Sequence, residues 1–136
     1  MSLSNMTSFV IGLASNTDDA EFQMEQAVQT LQTIFRKSSV SNFYQSASIS
    51  GDGSTYTNAV MAGLTEMSHN ELSEKLKKLE LKHGRDEQAR REKRVTLDLD
   101  LVIWDGRIER QNDFEQPYFN RGYRELLADG AFQYQL

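Results

Sequence analysis

No cysteine occurs in the 136 residues, so disulfides and thiolate metal sites are excluded. No run of 18 apolar residues occurs, which leaves no candidate membrane-spanning helix. Proline appears once, as Pro117. Neither a Walker A sequence nor a G-x-G-x-x-G is present, so a Gly-rich phosphate loop is not the device used here. The N-terminus lacks a basic segment followed by an apolar one, and no secretory signal is expected. Residues 1–6 read as a tag remnant or disordered lead-in, and 7–136 as one domain. A cytoplasmic location is the default expectation.

Positive charge is also scarce. The net charge is −5, which argues against a general nucleic-acid binder. The average conceals an asymmetry. Residues 75–94 hold nine cations against four anions, net +5, while the rest of the chain holds six against sixteen, net −10. That segment is either a local anion site or a solvated helix followed by a charged loop.

What is present is a clear alternation of periods. Thr7 to Asn16 reads as a buried strand ending in a polar turn, with Asn16 or Thr17 as cap of the next helix. Met24, Ala27, Val28, Leu31, Ile34 and Phe35 recur at helical spacing and form a core stripe. Residues 38–49 read as a strand, 50–54 as a turn-rich loop, and 55–66 as a strand of β-branched and aromatic residues. Ser68 and Glu71 form a capping box for a second helix, lined by Leu72, Leu76 and Leu79 and stopped at Gly84. Residues 85–94 contain no apolar side chain except Ala89 and read as a mobile loop. A last strand and a tail with one further helix follow. The order β-α-β-β-α-β is a ferredoxin-like α+β plait, an antiparallel sheet with two helices on one face.

The last strand, "RVTLDLDLVIWDG", carries the chemistry. Alternate strand residues share a face, which groups Thr96, Asp98 and Asp100 against Leu97, Leu99 and Leu101. Two residues along a strand span roughly 6.6 Å, and two ionised carboxylates that close repel by roughly 2–3 kcal/mol at an effective dielectric of 20. A bound cation removes that cost, as does protonation of one partner. Carboxylate oxygens suit Mg²⁺, which keeps waters and shares phosphate oxygens with a substrate. The plain alternative is a wet strand face. The apolar run from Leu101 to Trp104 suggests instead a central strand. Metal and guanidinium charge together are what a polyphosphate requires.

The motifs "GLASN", "FYQS", "YTNAV", "LELKHGR" and "TLDLDLVIWDG", in this order from about Phe9 to Tyr123, resemble those of the 6-hydroxymethyl-7,8-dihydropterin pyrophosphokinases of folate synthesis. The resemblance implies a ferredoxin-like fold and transfer of pyrophosphate from ATP to the pterin hydroxymethyl group, leaving AMP. It implies that Asp98 and Asp100 hold two Mg²⁺ ions, and that Arg85 and Arg121 join them as catalytic cations. Pterin contacts fall by the same resemblance on Ser46, Tyr56, Asn58 and Tyr123. Nucleotide contacts fall on Glu80, Arg85, Arg94, Leu101 and Arg121. ATP and a pterin are then the partners, with no nucleic acid and no membrane, and the protein is a monomer or weak dimer.

Several positions depart from the family pattern. Tyr118 follows Pro117 where the family has histidine, and Glu92 stands near the family's loop tryptophan. Glu87 and Val95 replace arginines, Ala14 replaces a glycine, and the tail stops early. These departures motivate an alternative: a catalytically impaired paralogue that binds a pterin or nucleotide without turnover. A third reading, an RNA-binding plait, requires exposed aromatics on the sheet, where this last strand offers carboxylates.

Overall fold

The computed structural model describes residues 5–48, 51–84, 87–92 and 94–131. It begins with β1 (Thr7–Ser15) and α1 (Ala20–Ile34). The single strand expected at 38–49 is two short ones, β2 (Ser38–Val40) and β3 (Tyr44–Ala47), set along the same edge of β4 (Thr55–Thr65). The break has a physical cause at Ser41. Its backbone N–H donates to Val60 O, while its hydroxyl accepts from Val60 N–H and donates to Asn42 O. The chain then departs from the edge before rejoining it at Tyr44.

Helix α2 (His69–Lys82) follows with the expected capping box. Ser68 Oγ accepts from Glu71 N–H at 3.2 Å, and Glu71 Oε1 accepts from Ser68 N–H at 3.1 Å. Gly84 closes it at φ 88°, a conformation that costs glycine little. The expected loop at 85–94 contains instead a short helix, α3 (Glu87–Arg91), seated by fully buried Ala89. The expected cap of α1 also differs. Asn16 Oδ1 accepts from Val95 N–H at 2.6 Å and so ties the end of β1 to the approach of the last long strand. The N-cap position belongs to Asp19, without a side-chain cap bond.

The chain continues through β5 (Asp98–Trp104), β6 (Arg107–Ile108), α4 (Gln111–Glu115) and α5 (Pro117–Ala128). The sheet order is β2-β4-β1-β5-β6, with β3 also on β4, and every pairing is antiparallel. This is the expected ferredoxin-like α+β arrangement. Strand β5, expected to be central, has only two-residue β6 beyond it among the described residues. Its edge is therefore open at Asp98–Leu101.

Both sheet faces are buried at their centre. Phe9, Ile11, Leu13, Met24, Leu31 and Leu72 belong to the core on the face of α1 and α2. Val10, Val60, Ala62, Val102, Phe119 and Leu126 form a second core under α5. Helix α5 thus covers the face that a two-helix plait leaves open. Double coverage explains why Asn58–Thr65 is buried at nearly every residue, for a strand covered on both sides loses its alternation. It also explains the apolar run of β5 without a central position. A register shift opposite Val10 and Ile11 places Val102 and Ile103 both in the second core and returns Trp104 to the first.

Helix α5 lies close to the sheet because Gly122 allows it. A Cβ there would stand 2.7 Å from Val60 Cγ2, 2.9 Å from the Tyr44 hydroxyl and 3.0 Å from Ser41 Oγ. Gly122→Ala gains about 1 kcal/mol of helix propensity but overpacks, at about 1–3 kcal/mol. The crowded atoms are held by strands, so the variant is expected to unfold at lower urea concentration than wild type. An unchanged or higher midpoint would contradict this packing.

Candidate active site

The pleat and the register assemble the site. Asp98 pairs with Ala14 on β1, and Ala14 pairs with Asn58 on β4, which pairs in turn with Tyr44 on β3. Directly opposed residues share a face, so the carboxylates and the asparagine lie on the α5 side. Two strand spacings of about 4.8 Å separate Asp98 from Asn58. The floor between them is small: Ala14, and beside it Gly12, whose added Cβ would stand 3.2 Å from Phe119.

At one end, Asn58 is 1% exposed. Its Nδ2 donates to Ser46 Oγ at 2.8 Å and to Tyr44 O at 3.3 Å. The structure thus brings Ser46 and Asn58 together, with Tyr56 opposite Ser46 in the ladder. Tyr123 goes elsewhere. It stacks on Phe119, ring centroids 5.8 Å apart, and meets Phe114 edge-on. These three rings form part of the second core under α5.

At the other end, Asp98 and Asp100 are in hydrogen-bond contact. The Asp100 carboxyl is pushed up to about 8, first by burial and then by the charge of Asp98. The repulsion expected from the spacing is relieved by a retained proton, as for two carboxylates sharing a site. Arg110 stands beside the pair, its guanidinium 3.7 Å from Asp100 Oδ1. Its Nε–H donates to Asp113 Oδ2 at 2.5 Å, and the Tyr118 hydroxyl donates a short hydrogen bond to the other Asp113 oxygen. Burial and Asp113 raise the Tyr118 phenol.

A cleft of about 630 Å³ wraps the open edge of β5, between α2 and the segment leading into α4. Asp98, Asp100, Leu101, Glu80, Lys77 and Arg110 help line it. Glu80 Oε2 accepts from Leu99 N–H at 2.8 Å, satisfying a donor on the edge that β6 leaves unpaired. At the far wall His69 contacts Glu109 at 2.7 Å and sits edge-on to Trp104.

Two of the expected cations, Arg94 and Arg121, are not gathered here. Arg94 pairs with Glu92 at 2.9 Å. Arg121 lies over the Tyr44 ring at 5.2 Å and lines a separate hollow with Pro117, Asn120 and Arg124. Arg85 lies outside the described residues. Sequence reasoning missed Arg110, Asp113 and Tyr118. Only the histidine-to-tyrosine departure after Pro117 signalled them.

Among the described residues no cluster of three or more metal-ligating side chains occurs. The two-carboxylate set nevertheless fits Mg²⁺, which takes one or two carboxylates and fills its shell with water and phosphate. Among the described residues no helix is long and apolar enough to cross a membrane.

The model of the 7,8-dihydro-6-hydroxymethylpterin-pyrophosphokinase family matches residues 10–127. The chain belongs to that family. It is also similar to the 2-amino-4-hydroxy-6-hydroxymethyldihydropteridine pyrophosphokinase of Haemophilus influenzae, 28% identical over 131 residues that cover 94% of this chain and 81% of that one. The match spans both the Asn58 end and the carboxylate end of this face.

The raised Asp100 carboxyl has a consequence for stability. An acid whose folded pKa is raised holds its proton more tightly when folded, so its contribution is full below the unfolded value and lost as pH climbs to the folded one. For Asp100 the window runs from 3.8 to about 8. In chelator, Tm is expected to fall across that window more steeply in wild type than in Asp100→Asn. Parallel profiles would remove Asp100 as the cause.

Proposed function

We propose that the protein transfers the terminal pyrophosphoryl group of ATP to the hydroxymethyl oxygen of 6-hydroxymethyl-7,8-dihydropterin, releasing AMP. The observation that carries this is the register that sets Asp98 across Ala14 from Asn58, with Asp100 one pleat along opposite Gly12, beside a cleft large enough for a nucleotide. Family membership supports the same reaction.

Asp98 and Asp100 would hold Mg²⁺. Bound there, the metal supplies charge neutralisation and alignment of the polyphosphate. The protein's own part is to position the reactants. The Asn58 amide and Ser46 hydroxyl offer paired polar groups to the edge of a bicyclic ring, with Tyr56 as its neighbour. A ring held by Asn58 lies on the sheet face of the carboxylates, two strand spacings away, so its hydroxymethyl arm can be directed toward β5. Lys77 and Arg110 face the nucleotide cleft, with Leu101 as apolar wall. Holding both substrates makes the encounter intramolecular, the main lever available when the transition state demands little covalent help. The attacking hydroxyl forms the new P–O bond as the bond to the AMP oxygen breaks, and its proton leaves to solvent.

Pterin binding without turnover is the reading favoured by the engagement of Arg94 with Glu92 and of Arg121 with Tyr44. One assay separates the two. With ATP, Mg²⁺ and the pterin, AMP is expected to form only when pterin is present and to vanish in Asp98→Ala or Asp100→Ala. No AMP from wild type, with pterin binding intact by calorimetry, would establish the binding-only reading. In the same calorimetry Asn58→Ala is expected to weaken pterin binding at least about tenfold, as loss of buried paired polar contacts does, and to leave nucleotide binding unchanged.

A further inference from the structure

The cleft beside the carboxylates needs positive charge, and two of the cations expected to supply it are engaged elsewhere. Arg94 is held by Glu92, Arg121 lies over Tyr44, and Glu87 and Val95 stand where the family has arginine. Among the described residues, the guanidinium that lines this cleft belongs to Arg110. It enters at the start of α4, and its placement follows from two side chains of the C-terminal segment.

Asp113, three residues along, takes the Nε–H at 2.5 Å. Its carboxylate is mostly covered, with 20% of the side chain exposed against 49% for Arg110. The Tyr118 hydroxyl donates to the second oxygen of the same carboxylate. Tyr118 is itself fixed, because its backbone carbonyl accepts from the buried Tyr44 hydroxyl at 2.7 Å. A chain of contacts thus runs from the sheet through Tyr118 and Asp113 to Arg110. The guanidinium ends 3.7 Å from Asp100, longer than a good charge-assisted hydrogen bond. A guanidinium has five N–H donors. Asp113 uses the one on Nε, and the Nη groups face the carboxylate end of the cleft.

We propose that Asp113 and Tyr118 are positioning residues that present Arg110 to the polyphosphate of the bound nucleotide. The inference rests on the pyrophosphokinase reading above. In the unliganded protein Arg110 partly neutralises the Asp98–Asp100 pair. With that pair neutralised by cations, the Asp113 tether keeps Arg110 at the cleft wall and its Nη groups turn to phosphate oxygens. Arginine suits this task because its fork matches phosphate geometry, which lysine does not. Tyr118 replaces the family's histidine with a neutral hydroxyl, so it acts through Asp113 and Arg110 rather than by offering charge.

The test measures the affinity of Mg²⁺ with a non-hydrolysable ATP analogue by calorimetry, alongside steady-state KM and kcat and thermal unfolding. Arg110→Ala is expected to weaken nucleotide binding about tenfold, the scale of one lost charge-assisted contact, and Arg110→Lys to restore only part of it. Asp113→Asn and Tyr118→Phe are each expected to weaken binding about three- to tenfold in the wild-type background and less than about twofold when Arg110 is already Ala, the signature of coupled residues. The loss should appear in KM for ATP, with KM for pterin unchanged. If Asp113→Asn and Tyr118→Phe lower Tm yet leave nucleotide affinity unchanged, they are structural and the inference fails alone. Equal losses with and without Arg110 would also overturn it. If wild type binds no Mg²⁺–nucleotide, the proposed function falls and takes the inference with it.

Discussion

Asp98 and Asp100 sit one pleat apart on the same face of β5, partly buried and in contact, and their mutual repulsion is the constraint to which the surrounding structure answers. Ionised together and dehydrated, they would destabilise the strand that carries them. The fold answers with a retained proton on Asp100 and with the Arg110 guanidinium nearby. Both responses are reversible. A site neutralised by a proton and a half-exposed arginine is one that a divalent cation with a polyphosphate can take over. The tension between the carboxylates in the unliganded protein is thus the affinity for charge in the liganded one.

The C-terminal helix makes this possible. Without α5 the carboxylate face would be open to water, and the high dielectric would dissolve the repulsion and the selectivity together. Gly122 lets α5 approach, and the Tyr44 hydroxyl joins it to the sheet by accepting from Gly122 N–H and donating to Tyr118 O. Burial pushes that phenol up to about 12, so it stays a neutral donor. The same tyrosine lies opposite Asn58 in the ladder and accepts through its carbonyl from Asn58 Nδ2. One residue therefore couples the Asn58 end of the site to the helix over the carboxylates.

The legible parts of the sequence were the local ones. The period of two placed Asp98 and Asp100 together and Leu97, Leu99 and Leu101 in the other core. Ser68 and Glu71 announced the start of α2, and Gly84 its end. Long-range geometry was not legible. The split between β2 and β3 comes from Ser41 bonding to Val60, nineteen residues away. Asn16 became a strap to Val95, seventy-nine residues on, rather than a cap. The face of α5 depends on a glycine whose neighbours, Val60, Tyr44 and Ser41, lie on distant strands and the break between them. The network of Arg110, Asp113 and Tyr118 is close in sequence, yet its meaning appears only when it is seen to end at Asp100. The family resemblance pointed to Asn58 and Ser46, which the structure places in hydrogen-bond contact. Tyr123, named with them, lies among Phe114 and Phe119.

The central claim is that the carboxylate pair binds divalent cations in company with a nucleotide. Mn²⁺ binding followed by electron paramagnetic resonance, with and without a non-hydrolysable ATP analogue, tests it most directly. The account predicts protein-bound Mn²⁺ that appears only with the nucleotide and is lost when Asp98 and Asp100 are both replaced by Asn. Nucleotide-dependent Mn²⁺ binding of equal strength in wild type and in that double variant would contradict it.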